Sequence, residues 1–217
     1  MINTKISTGG YESKGFDPGN TTLFIQKLEI VNSRFKEDAK EIFLYVRGEK
    51  IPGFEGFPVD VNDKSKGNLP YKVGKIRSQR FAYSDATVGN KTFRRDDEIV
   101  RFIKSLCIEM GEAEVEWLES LDNVSTVEQL IDLFNERGAF EDVPFYVCIG
   151  GKEYLSKGNG YLRYDLFLPR SSNQGKAITT NKDKVKQYDV TKDLIKLNKE
   201  VKEEFAADAS EPSEFAF

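Results

Sequence analysis

Histidine is absent from the 217 residues, and its absence removes a set of chemistries at once. Ser–His and Cys–His nucleophile pairs, histidine general bases and the usual zinc ligands cannot be assembled. Cysteine is nearly absent too. Cys107 and Cys148 each sit in an apolar run without metal-type spacing, which predicts buried free thiols in a reducing cytoplasm. The sequons at Asn20, Asn90 and Asn123 are then chance matches. No stretch approaches the length of a membrane-spanning helix, and the N-terminus lacks a basic-then-apolar signal pattern. No internal repeat of useful length is visible. The expectation is a cytoplasmic protein that touches no membrane, is not an enzyme and needs no cofactor.

What is plentiful is charge and aromatic surface. Charged residues make up 31% and hydrophobic ones 39%, and 16 Phe and 9 Tyr accompany the single Trp. That composition supports one domain with insertions, or a domain with tails. The net charge of −4 is unevenly spread. Residues 203–217 hold Glu203, Glu204, Asp208, Glu211 and Glu214 and no base, so residues 1–202 carry a net +1. Bases concentrate in 64–101, with ten against four acids, and in 170–202, with nine against four. Local potential of this kind can steer a polyanion whatever the overall charge.

Residues 1–20 read as a polar, Gly-rich arm. Strands are predicted over 22–31 and 41–47, the second with Ile42, Leu44 and Val46 on one face and Phe43, Tyr45 and Arg47 on the other. A loop-rich excursion, 48–70, carries Phe54 and Phe57 between Gly and Pro, which makes them candidates to stack on a ligand. A third strand spans 71–84. Helical periodicity follows in 96–110, capped by Asp96 or Asp97, then in 113–120 and in 126–136, capped by Ser125. The apolar run 144–149 predicts a buried strand. A turn region covers 150–160 with a short strand at 153–155, and 161–169 alternates as the last strand, with Tyr161 and Arg163 outward. Residues 170–205 form a Lys-rich linker with a weak C-terminal helix over 189–205, and 206–217 an acidic tail that cannot fold alone. Three strands, a helical insertion at about 95–138 and two more strands predict an α+β fold. The expected core is an OB-like five-stranded barrel over 1–169, an architecture that commonly binds oligonucleotides.

Alternation along 71–84 places Tyr71, Val73, Lys75, Arg77, Gln79, Phe81 and Tyr83 on one face, with Lys72 and Arg80 on the other. Cations interleaved with rings hold phosphates and stack bases without reading sequence. The candidate DNA-binding set is Tyr45, Phe54, Phe57, Lys72, Lys75, Arg77, Arg80, Phe81, Tyr83, Arg94, Arg95, Tyr161 and Arg163. The tail ends in Phe215 and Phe217, an aromatic anchor with a terminal carboxylate suited to a basic-rimmed pocket.

With the OB-like order, the basic-aromatic strand and the Phe-ended acidic tail, the chain resembles the single-stranded DNA-binding proteins of tailed bacteriophages. The segments Phe54-Glu-Gly-Phe57 and 71–83 are similar to such proteins in phages of gut Bacteroidetes. The resemblance implies coating of single-stranded DNA in replication and recombination inside a bacterial host. It also implies docking of replication or recombination proteins through Phe215 and Phe217, and leaves a homo-oligomer open. The chain departs from that pattern in its sparse tail acids and its long helical insertion. Two alternatives stand beside it. One is a virion structural or cargo protein. The other is a Mg²⁺-dependent nuclease built on Asp96 and Asp97, with Asp60 and Asp63 at hand.

Overall fold

A computed structural model describes residues 15–32, 39–59, 63–78, 86–88, 90–156, 161–171, 173 and 175–198. Its centre is a closed barrel of five strands: β1 (Gly19–Asn32), β2 (Lys40–Gly48), β3 (Val73–Arg77), β4 (Phe145–Leu155) and β5 (Leu162–Phe167). Their order around the barrel is β1-β2-β3-β5-β4, with β4 returning to β1. All neighbours are antiparallel except β3 and β5, which run parallel where Arg77 meets Phe167. This mixed α+β architecture is consistent with an OB-like barrel. In chain order, α1 (Arg95–Met110), α2 (Glu112–Glu119) and α3 (Val127–Arg137) fall between β3 and β4.

One strand makes closure possible. The first part of β1, Gly19–Leu23, pairs with β4, and Leu23–Asn32 pairs with β2. The register shifts between Ile25 and Lys27, a bulge that leaves Gln26 unmatched and bends the strand from one partner to the other. It also reverses side-chain parity. Leu23 and Ile25 point inward before it and Leu28 after it, all at 1% exposure or less. Beyond the β4 pairing one edge of β1 would be bare. There Asn135 of α3 acts as a surrogate strand: its carbonyl oxygen accepts from Leu28 N at 2.9 Å and its amide donates to Leu28 O at 2.9 Å.

The core follows from the two periodicities. Ile42, Leu44 and Val46 of β2, Ile76 of β3, and Phe145, Val147 and Ile149 of β4 fill the barrel; Ile99, Ile103 and Leu106 of α1 and Leu130, Ile131 and Phe134 of α3 join the same cluster. Phe134 stacks on Phe140 with centroids 5.0 Å apart. Cys107 and Cys148 are buried free thiols, and desolvation pushes both thiols up to about 11. Helix α3 is capped by Thr126, whose hydroxyl accepts from Gln129 N, rather than by Ser125. Asp96 and Asp97 sit inside the first turn of α1 and cap nothing; Arg94 is its N-cap residue. Acids there still complement the helix dipole.

The remaining corrections concern strand extent and the C-terminal part. The third strand spans only Val73–Arg77 of the expected 71–84 among the described residues, and 79–85 lie outside them. The expected turn after Ile149 is instead continuous strand through Leu155. Gly150 is needed because a Cβ there would lie 2.6 Å from the Phe167 ring and 2.9 Å from the Asp193 carbonyl. Gly151 is pressed in the same way by Pro18.

The expected linker over 170–205 is, through residue 198, a strap on β4. Ile178–Thr179 pairs with Val147 and Tyr146, and Leu194–Ile195 runs parallel to Gly151 and Lys152. Of the expected C-terminal helix over 189–205, the described residues show only one turn, Val190–Asp193, and 199–205 lie outside them. The strap is held by polar anchors its lysine-rich composition hides. Glu109 of α1 accepts from Thr179 Oγ1 at 2.6 Å and Thr180 N at 3.0 Å, and pairs with Lys176. Burial would raise the Glu109 carboxyl, but these donors outweigh it and hold it below the usual range. Asn20 donates to Lys186 O at 2.8 Å and accepts from Tyr188 N at 2.7 Å. Lys186 and Asp193 form a buried ion pair beneath, and Asp193 also accepts from Asp189 N at 3.0 Å.

Two outcomes follow. Asn135→Ala orphans both Leu28 backbone groups, and chemical denaturation should show a loss of about 1–3 kcal/mol; Asn135→Asp, which keeps only the acceptor, should fall between. Removing one partner of the buried pair, by Lys186→Met or Asp193→Leu, should cost about 3–5 kcal/mol, and the double apolar variant should recover most of it.

Candidate nucleic-acid interface

The outer face of β2 and β3 is built by alternation. Opposite the buried Ile42, Leu44, Val46 and Ile76 stand Phe43, Tyr45, Arg47, Lys75 and Arg77. Register sets Tyr45 across from Lys75 and Phe43 across from Arg77. On the other side, β1 after its bulge contributes Lys27 across from Tyr45 and Glu29 across from Phe43. Non-neighbours in sequence thus meet on one surface.

Lys75 is its centre. The ammonium lies 4.1 Å from the Phe43 ring centroid and 4.8 Å from that of Tyr45. It donates to Tyr45 Oη and Glu29 Oε2, each at 2.9 Å. Tyr45 Oη in turn donates to Glu29 Oε2 at 2.7 Å. These bonds from Lys75 and Tyr45 hold the Glu29 carboxyl below the ordinary range. Beside this group, the Arg47 guanidinium sits 4.2 Å from the Phe24 ring and 5.7 Å from that of Tyr71, reaching Asp142 Oδ1 at 3.5 Å.

The surface continues onto β5 through one ion pair. Arg77 meets Asp165 at 2.7 Å, with Glu41 4.0 Å away. Two residues earlier on the same face of β5 is Arg163, exposed, preceded by Tyr161 at 65% exposure. Arg163 pairs with Tyr154 of β4, itself 45% exposed, and Asp165 with Lys152. The hairpin end therefore presents Lys152, Tyr154, Tyr161 and Arg163 together.

The structure brings together Tyr45, Lys75, Arg77, Tyr161 and Arg163 of the expected set. Lys72 has the opposite parity and lies at the barrel end, beside Gly48 and Phe16, lining a shallow cleft of about 360 Å³. Arg94 and Arg95 stand at the start of α1, where Arg95 Nε meets Asp96 Oδ1 at 2.9 Å. Phe54 and Phe57 pack on each other away from this face's Lys75 cluster. Phe57 is buried and Phe54 half-buried, the rings edge-on at 4.7 Å. Phe57–Pro58 pairs with Asn68–Leu69, and Gly56, at φ 106, leaves no room for a Cβ beside Leu69 O. Arg80, Phe81, Tyr83, Phe215 and Phe217 lie outside the described residues.

A larger correction is electrostatic. The cations Lys27, Arg47, Lys75 and Arg77 share this region with the carboxylates Glu29, Glu41, Asp142 and Asp165. Lys152 and Arg163 at the hairpin end leave a small positive excess among the described residues. Sequence alternation named the cations; Glu41 lies on β2 itself, whereas the other three carboxylates arrive from β1, β5 and the loop after α3, set beside the cations by pairing register or tertiary contact. Phe43 and Arg47 are legible as outward residues of β2, whereas Tyr154, on the short strand expected at 153–155, was not singled out because its neighbours across the hairpin are set by register.

Among the described residues no group of three or more acids or cysteines is placed to hold a metal ion, and no helix is long and apolar enough to cross a membrane. Asp63, one of the acids considered for a nuclease, accepts from Ser65 in a local turn. Comparison with known protein families, with curated proteins and with solved structures finds no match to this chain.

Proposed function

We propose that the chain binds single-stranded DNA without reading its sequence and that the outer face of β2, β3 and β5 is the binding surface. The observation that supports this most is the Lys75 cluster. A cation wedged between Phe43 and Tyr45, on the strands that OB-type barrels use for oligonucleotides, offers a ring surface and a phosphate partner side by side. Exposed Tyr154, Tyr161 and Arg163 at the β4–β5 hairpin extend the same chemistry along a track. A role in phage replication or recombination, with partners engaged through Phe215 and Phe217, belongs to the same proposal and rests on the sequence of the tail.

Fluorescence anisotropy on an oligothymidylate and on a duplex of equal length tests the surface. Single strands should bind more tightly than the duplex. Tyr154→Ala and Tyr161→Ala, both at exposed positions, should each cost about 1–3 kcal/mol if their rings stack on bases. The charge swaps Lys75→Glu and Arg77→Glu should weaken binding further. Equal affinity for both forms of DNA, or indifference to all four substitutions, would remove the surface from consideration. Deleting residues 215–217 should leave DNA affinity unchanged or higher while abolishing capture of replication proteins from infected-host extract; undiminished capture would remove the tail from the proposal.

A further inference from the structure

We propose that Glu29 is a resident anion on this face, occupying the place of a strand phosphate and setting how tightly a strand can bind. The inference rests on the reading of the face as a single-strand interface and adds the residue that regulates it. Glu29 Oε2 takes two donors at once, Tyr45 Oη at 2.7 Å and Lys75 Nζ at 2.9 Å. A phosphate oxygen is an acceptor of the same kind and charge sign, so a strand reaching Lys75 must displace this carboxylate or share its donors. Nothing in the core requires an acid here. The Glu29 side chain is 35% exposed and points away from the barrel interior.

The same arrangement recurs independently. Arg77 is held by Asp165 at 2.7 Å on the neighbouring strand, and Arg47 by Asp142 at 3.5 Å. Three cations on one surface each face a carboxylate brought from a different element. Exchange of one anion for another yields little net electrostatic gain. Binding by the intact protein then carries a shallow salt dependence, and ring stacking supplies most of the affinity.

Glu29→Gln keeps the shape and the acceptor oxygen while removing the charge. With an oligothymidylate at low salt, the variant should bind about tenfold more tightly, and the slope of log K against log salt should steepen by about 0.7 for one added phosphate contact. An abasic strand of equal length should gain by the same factor, because the carboxylate competes with phosphates and not with bases. In a Lys75→Gln background the gain should vanish. Asp165→Asn, at a more exposed site, repeats the test at Arg77 should Glu29→Gln unfold. Unchanged or weaker binding by both variants, with the intact protein binding normally, would overturn the resident-anion role alone. Failure of the intact protein and both variants to bind the strand at low salt would overturn the interface itself.

Discussion

The barrel depends on β1 serving two partners, and the bulge at Gln26 is the device that allows it. A strand that kept a strict two-residue period from Leu23 onward would send Lys27 and Glu29 into the core and Leu28 to solvent. With one residue unmatched, Leu28 goes in and Lys27 and Glu29 come out beside Tyr45 and Phe43. The contact between Glu29, Tyr45 and Lys75 is therefore a product of the same irregularity that closes the barrel. Among the described residues closure leaves one edge of β1 without a strand beyond Leu23, and Asn135 supplies the donor and acceptor that a neighbouring strand would have given to Leu28.

On the far side of the barrel the constraint is the opposite one. The non-core face of β4 carries Tyr146, Cys148 and Gly150, and the strap of 175–198 covers it. Two glycines let Phe167, Asp193 and Pro18 come within contact of the β4 backbone. Polar side chains then fasten what apolar area alone would hold weakly: Glu109 at one end, Asn20 in the middle, and the Lys186–Asp193 pair beneath. Among the described residues the barrel is thus covered behind β4, while the outer face of β2, β3 and the β4–β5 hairpin carries exposed or half-buried side chains. That asymmetry is what singles out one surface.

Much of this was legible locally. The alternation of Ile42, Leu44 and Val46, the apolar run Phe145–Ile149 and the helical spacing of Ile99, Ile103 and Leu106 are short-range patterns, and each became the element its period implies. What escaped the sequence was set by long-range pairing. The switch from Leu23 and Ile25 to Leu28 does signal a bulge, but only once both ends of β1 have partners. Gly150-Gly151 looks like a turn because glycine usually makes one; here it marks close packing against a segment some forty residues away, as at Asp193. Phe54 and Phe57 seemed stranded between Gly and Pro, yet the glycine at 56 is what lets the small sheet with Asn68–Leu69 close over Phe57. The carboxylates opposite Lys75 and Arg77 come from β1 and β5, so a strand read alone looks more basic than the surface it joins.

That balance of charge bears on which ligand the face suits. Interactions between exposed charges fade over about 8 Å at physiological ionic strength. A polyanion approaching from further away meets central cations already matched by carboxylates, and only Lys152 and Arg163 at the hairpin end add net pull among the described residues. On the proposed function, affinity is then generated mainly at contact, from rings. The rings at hand are Phe43 and Tyr45 beside Lys75, Phe24 under Arg47, and Tyr154 and Tyr161 at the hairpin. Stacking requires bases that are not already stacked on one another, a condition a single strand meets and a duplex does not. Under this reading an aromatic face whose central cations are already paired selects for single strands better than a strongly basic one, because charge alone would hold either form of DNA.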